Sequence, residues 1–151
     1  MKKFIGFISL LIALTSPSSF AAQPNQMEVE QLMQKKKQLV LKGLNLSAEE
    51  RAEFLPVYNA YQKELLKSNS QLVLIINEFA KKYDALTNVK AKELLEKWLN
   101  QQQIELNLKK NYVPKFEKVM SKKELMRYYQ MENKLKTAAN AQMIQIIPLA
   151  K

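Results

Sequence analysis

The chain contains no cysteine and no histidine, and only 2 glycines and 5 prolines in 151 residues. Each shortage removes possibilities. Without cysteine, stability cannot rest on disulfides even in an oxidising compartment, and a lipid anchor attached through a thiol is not expected. Without histidine, the commonest metal ligand and the usual neutral-pH base are missing. The Cys, His and Gly-rich-loop signatures of nucleophilic, metal-dependent and phosphate-binding enzymes are absent. The expectation is a protein that is not an enzyme, with no catalytic, cofactor-binding or metal-ligating residues and no cofactor. Carboxylates remain as conceivable acid–base pairs, Glu49 with Glu50 and Glu93 with Glu96. The acid preference of a helix N-terminus accounts for the first pair, and a solvated helix face for the second.

The sequence opens with a processing signal. Met1-Lys2-Lys3 is a short basic segment, and Phe4 to Leu14 is almost wholly apolar. Ser19-Phe20-Ala21 then places small side chains before a cleavage point after Ala21. The pattern is that of a secretory signal peptide over 1–21, leaving a single helical domain over 22–151. An uncleaved anchor would need about 20 apolar residues to cross a bilayer, roughly twice the run present. The expected location is periplasmic, soluble and not lipid-anchored.

Removing Lys2 and Lys3 from 24 basic residues leaves 22 against 14 acidic ones, a mature charge of +8. In a cytosolic protein this balance would point to nucleic acid; export makes that partner unexpected. Anionic envelope lipids or lipopolysaccharide contacted weakly at the membrane surface, acidic envelope proteins or an acidic partner domain remain, beside a plain solvated surface rich in lysine.

Scarce glycine and proline, with abundant Leu, Lys, Gln and Glu, predict long helices, and no sustained period-2 alternation supports strands. A first helix is predicted over 26–42, stopped by Gly43 in a left-handed conformation. Leu46-Ser47-Ala48-Glu49-Glu50 opens a second helix with a capping box, in which Ser47 and Glu50 satisfy free backbone N–H groups. An apolar stripe follows through Phe54, Tyr58, Tyr61, Leu65, Leu72, Ile75 or Ile76, Phe79 and Tyr83. Pro56 inside it must bend or split the helix. Leu86-Thr87-Asn88 breaks the chain, and Thr87 or Asn88 caps a third helix carrying Leu94, Leu95, Trp98, Leu99, Leu108, Tyr112 and Phe116, interrupted by Pro114. Met120-Ser121-Lys122-Lys123-Glu124 repeats the capping pattern and opens a fourth helix.

The symmetry predicts an all-α fold: a long antiparallel hairpin turned at Thr87, kinked at Pro56 and Pro114 at similar heights, with two shorter flanking helices. These paired starts resemble the LTxxQ motifs of the periplasmic Spy/CpxP superfamily, with Ser for Thr and Glu for Gln in both copies. The series Leu44 to Glu50, Phe54, Pro56, Tyr58, then Tyr112 to Phe116, Glu132-Asn133-Lys134 and Ile147-Pro148-Leu149 is similar to small exported proteins labelled sensors of ECF-type sigma factors. The resemblance implies a four-helix hairpin fold, often a homodimer. It also implies ATP-independent binding of unfolded envelope proteins in the envelope stress response, or regulation of a membrane stress sensor or anti-sigma factor.

Two features are candidates for binding. A basic face is expected from Lys35, Lys36, Lys37, Lys81, Lys82, Lys109, Lys110, Lys122 and Lys123, although runs spread around helices also read as solvated surface. Tyr58, Tyr61, Trp98, Tyr112, Tyr128, Tyr129, Met126, Met131 and Met143 read as core at their helical spacing, except where a one-layer hairpin cannot cover them. Glu132-Asn133-Lys134 reads either as a buried polar set that pairs with Arg51 or Lys115, the reading that the flanking Met131 and Leu135 favour, or as part of an exposed helix face.

Overall fold

Two serine and threonine side chains fix where the long helices begin. The computed structural model describes residues 26–150, without the side chains of 142–146; the leader expected over 1–21, residues 22–25 and the side chain of Met143 lie outside it. The described residues form four helices: α1 (Gln26–Gly43), α2 (Ala48–Lys82), α3 (Asn88–Phe116) and α4 (Lys122–Ile146). At the start of α2, Ser47 Oγ accepts from the Glu50 N–H and the Glu50 carboxylate accepts from the Ser47 N–H, completing the predicted box. Thr87 Oγ1 accepts from the Lys90 N–H and opens α3. A single 3-10 turn, Tyr83–Ala85, tightens the connection between them.

The second serine works differently from its twin. Ser121 Oγ accepts from the Glu124 N–H, as predicted. The Glu124 carboxylate, however, reaches across to the Asn45 N–H at 3.1 Å instead of back to Ser121. It therefore ties the α1–α2 linker to the start of α4. This Glu is a tertiary cap, not the second half of a local box.

α2 and α3 pair along their lengths in opposite directions. Phe54 packs on Phe116, Tyr61 on Tyr112, Gln101 donates to Ser68, and Lys97 meets Glu78. This order makes the pair antiparallel and sets Pro56 and Pro114 at the same level. Neither proline splits its helix: α2 is continuous over 35 residues, and α3 runs on from Pro114 to Phe116.

Gly43 corrects the reading of the first helix. It does not adopt a positive φ, and α1 includes it. Its role is close approach: a Cβ there would lie 2.7 Å from Met131 Sδ and closer still to its methyl. Glycine lets the α4 methionine lie flat on the end of α1.

The core sits at one end of the hairpin, where all four helices meet. Val40, Leu44, Phe54, Tyr58, Tyr61, Leu65, Tyr112, Phe116, Met120, Leu125 and Tyr128 are buried together. Ring pairs such as Phe116–Tyr128 at 4.9 Å and Tyr61–Tyr112 at 5.1 Å knit it, and such pairs add about 0.5–1.5 kcal/mol each beyond their buried area. Beyond Leu65, α2 and α3 continue toward their turn with fewer buried apolar residues. That half carries the candidate site.

Candidate functional site

The sequence stripe of α3 combines two phases, and packing separates them. Leu94, Gln101, Tyr112 and Phe116 turn inward, whereas Leu95, Trp98, Leu99, Ile104 and Leu106 are exposed, Trp98 to 42%. On α2, Leu66, Val73 and Leu74 are exposed as well. The inward places at mid-hairpin go to polar groups. Gln101 Nε2 donates to the Ser68 carbonyl at 2.7 Å and to Ser68 Oγ at 2.6 Å. Each partner satisfies the other, so the seam specifies register without a hydrophobic core.

Most of the exposed apolar residues, Leu74 and Ile104 apart, lie on one side. Gln62 of α2 is where α1 and α4 reach the hairpin, and Leu66 and Val73 continue its row at helical spacing. On α3, α4 reaches Glu105 through Lys136 at 2.5 Å and the Lys109 carbonyl through the Tyr129 hydroxyl at 2.9 Å. Trp98 lies two turns before Glu105 on the same side, flanked by Leu95 and Leu99. So α1 and α4 roof one half of a hairpin face, and the other half of that face is apolar and open.

The other side of the open half is ionic. Glu78 contacts Lys90 and Lys97, and Glu93 pairs with both lysines at 2.9 and 2.6 Å. Hydrogen bonds from Lys97 and Lys90 hold Glu93 down to about 2, and those from Lys90 and Lys97 lower Glu78. The carboxylates in turn raise both lysines. Glu93 and Lys97 are exposed and Glu78 and Lys90 half-buried, so solvent screens the cluster and it contributes little to stability.

The expected basic face does not assemble. Lys36 is turned inward, where its Nζ donates to Glu132 and to Gln62, each at 2.8 Å. Lys109 is paired with Glu105 at 2.8 Å. Lys35, Lys81, Lys82, Lys110, Lys122 and Lys123 are exposed and Lys37 half-buried. Lys81 and Lys82 end α2 at the hairpin turn, while Lys122 and Lys123 begin α4 at the opposite end. The length of α3, about 43 Å at the helical rise, separates the two pairs. They are two sites of charge, not one face.

Glu132 is buried, as expected of the Glu132-Asn133-Lys134 triplet, but its partners are Lys36 and Gln62 instead of Arg51 or Lys115. Asn133 and Lys134 face solvent, and Lys115 lies over the Tyr112 ring. Of the aromatic and methionine set, Tyr58, Tyr61, Tyr112 and Tyr128 are buried, Tyr129 and Met131 half-buried, and Trp98 and Met126 exposed. Burial and the nearby Glu132 charge raise Tyr58, Tyr61 and Tyr128, and the same causes push Tyr129 up to about 12. Burial and the Glu64 carboxylate push Tyr112 up to about 12.

Gln62, Gln101 and Glu105 were not anticipated as buried positions. A signal for Gln101 exists: stepping back from Leu108 in sevens gives Gln101 and then Leu94. Nothing in the sequence names Lys36 as the lysine that pairs inward. Among the described residues no group of three or more acidic side chains could hold a metal ion, and no helix is long and apolar enough to cross a membrane.

In comparisons with known proteins, no family model matches the chain, and no curated protein or solved structure matches it either.

Proposed function

We propose that this protein is an exported, ATP-independent chaperone-like binding protein that holds unfolded segments of other envelope proteins, and that it is not an enzyme. The observation that carries this reading is the open half of the hairpin. Leu66, Val73, Leu95, Trp98 and Leu99 stay exposed on the side that α1 and α4 roof elsewhere. Rows of large apolar side chains left in water mark binding surfaces. Here the row is bordered by the neutral amides Asn69 and Gln102 and by exposed charges, Lys63 and Lys67 beside Leu66 and the Lys92–Glu96 pair beside Leu95 and Leu99. Such a surface suits many sequences at modest affinity.

The paired LSAEE and MSKKE starts and their likeness to the Spy/CpxP motifs support the same reading. In it, Pro56 and Pro114 bend the two long helices together, and the bend shapes the holding surface. The signal-peptide pattern over 1–21 supports a periplasmic site of action. The excess of positive charge favours encounter with acidic clients.

A second reading is favoured by the separated lysine pairs: a regulatory contact with a membrane stress sensor or an anti-sigma factor, anchored by charge at one end. Two experiments divide these. Suppression of aggregation of a denatured client, without ATP, supports holding; no effect at several-fold excess contradicts it. Capture of a single envelope partner that is lost at raised salt supports regulation.

A further inference from the structure

A sulfur atom sits where the end of α1 meets α4. α1 packs chiefly on α4, and of its 18 residues only Val40 is buried. Its main fastenings are Val40 in the aromatic core, Lys36 on Glu132 and Gln62, and Gly43 beneath the Met131 thioether. A Cβ at position 43 would lie 2.7 Å from Met131 Sδ, so the seam has no room on that side for one more heavy atom. Gly43 itself is exposed, which leaves the seam within reach of a small oxidant. Met131 directly precedes Glu132 on α4, so a shift of the backbone at one moves the other.

The chain has 7 methionines, and the fold gives them unequal weight. Met27 and Met126 are exposed, Met120 is buried in the core, and Met33 and Met131 are half-buried. A thioether oxidised to the sulfoxide turns from a flexible apolar group into a polar, chiral one. At Met27 and Met126 the new oxygen is solvated at no cost to packing. At Met131 it enters the seam between Gly43 and the core on which Met131 packs.

We propose that Met131 is a redox-sensitive latch: its oxidation to the sulfoxide by a hypohalous acid frees α1 from α4 and uncovers the apolar surface beneath Val40. With hypochlorous acid, the sulfur gains one oxygen and loses two electrons; the chlorine takes them and leaves as chloride, and a proton goes to water. An oxygen that crowds Gly43 or lies unpaired against the core costs enough to shift an opening equilibrium about tenfold. α1, with its single buried residue, is the helix that yields.

The test is hydrogen exchange of the native chain and of its M131L variant, before and after limited treatment with hypochlorous acid, with the sulfoxides mapped by mass spectrometry. Leucine keeps the volume and has no sulfur to oxidise. After treatment the α1 amides of the native chain should exchange about tenfold faster, and binding of a hydrophobic dye should rise. M131L, with Met27, Met33 and Met126 oxidised alike, should show neither change. Methionine sulfoxide reductases of both epimer specificities should restore slow exchange in the native chain. That reversal needs no variant, so it decides the matter even if M131L folds poorly. An α1 that exchanges at its original rate with Met131 oxidised overturns the latch. So does equal acceleration in M131L, or a Met131 left unoxidised at a dose that converts Met27 and Met126 throughout. Aggregation assays play no part in this test, so the latch and the holding function stand or fall separately.

Discussion

Lys36 of α1 and Glu132 of α4 meet at 2.8 Å, and Gln62 of α2 hydrogen-bonds to both. Gln62 Nε2 also donates to the Tyr128 hydroxyl at 3.2 Å. Three helices are thus fastened by one polar knot at the edge of the aromatic core. Side-chain exposure is 7% for Glu132 and 20% for Lys36, so neither charge can be left alone cheaply. Glu132→Ala strands the ammonium and one face of Gln62, and a loss of about 3–5 kcal/mol in urea unfolding is expected. Lys36→Met combined with Glu132→Leu removes both charges and recovers most of that loss. A double variant as unstable as Glu132→Ala would mean the knot acts through shape, not charge.

Tyr58 and Tyr61 bury hydroxyls that have no hydrogen-bond partner among the described residues. Their neighbours Tyr128 and Tyr129 have one each, with Gln62 and the Lys109 carbonyl. Removing an unpaired buried hydroxyl stabilises, and removing a paired one costs. Tyr58→Phe and Tyr61→Phe should each raise stability by about 1 kcal/mol, while Tyr129→Phe should lower it by about as much. Thermal melts of the three variants separate the cases.

The tyrosines also set the alkaline limit. A raised pKa means that the folded state keeps a proton which the unfolded chain releases near 10. Stability from this source is full below about pH 10 and falls as pH rises through the raised folded values. The melting temperature should therefore hold steady to about pH 9.5 and then drop, with a shallower drop in the Tyr58→Phe/Tyr61→Phe variant. The acid limb has the opposite sign. Burial raises Glu105, but hydrogen bonds from Lys109 and Lys136 outweigh it and leave it below its ordinary 4.5. Its contribution is present above that value and is lost as pH falls through the lowered one. Glu105→Gln should flatten the acid limb more than Glu93→Gln, because Glu93 is largely exposed and screened.

Gly43 and Met131 should be coupled. Alanine favours a helix over glycine by up to about 1 kcal/mol, yet at position 43 its Cβ displaces the Met131 thioether. Gly43→Ala should gain little or lose stability in the native background and gain about 0.5–1 kcal/mol in Met131→Ala. Additive effects in a double-mutant cycle would deny the contact.

Element boundaries were legible because local chemistry fixes them. Ser47 with Glu50, Thr87 and Ser121 each satisfy N–H groups within one turn, and such contacts are written in adjacent residues. Glu124 shows where that stops: its spacing from Ser121 fits a box, but Asn45 from another part of the chain offers a competing donor. Gly43 was misread for a related reason, since close packing and left-handed conformation both select glycine. The open surface was harder. α3 carries two apolar phases, one through Leu94 and Tyr112 and one through Leu95 and Leu99, and only the position of α2 and α4 decides which is covered. Lysine runs gave no information about pairing, because Lys35, Lys36 and Lys37 are chemically alike and the packing of α1 selects Lys36.

The proposed holding of unfolded segments by the open half of the hairpin rests on Leu66, Leu95 and Leu99. Its most direct test is suppression of aggregation of a chemically denatured client by the native protein and by Leu66→Ser/Leu95→Ser/Leu99→Ser. Leu66, Leu95 and Leu99 are 39%, 52% and 50% exposed, so the triple variant should lose far less stability than core substitutions would cost and should stay folded. Suppression seen with the native chain should be lost in the variant at equal concentration. Undiminished suppression by a folded triple variant would contradict it.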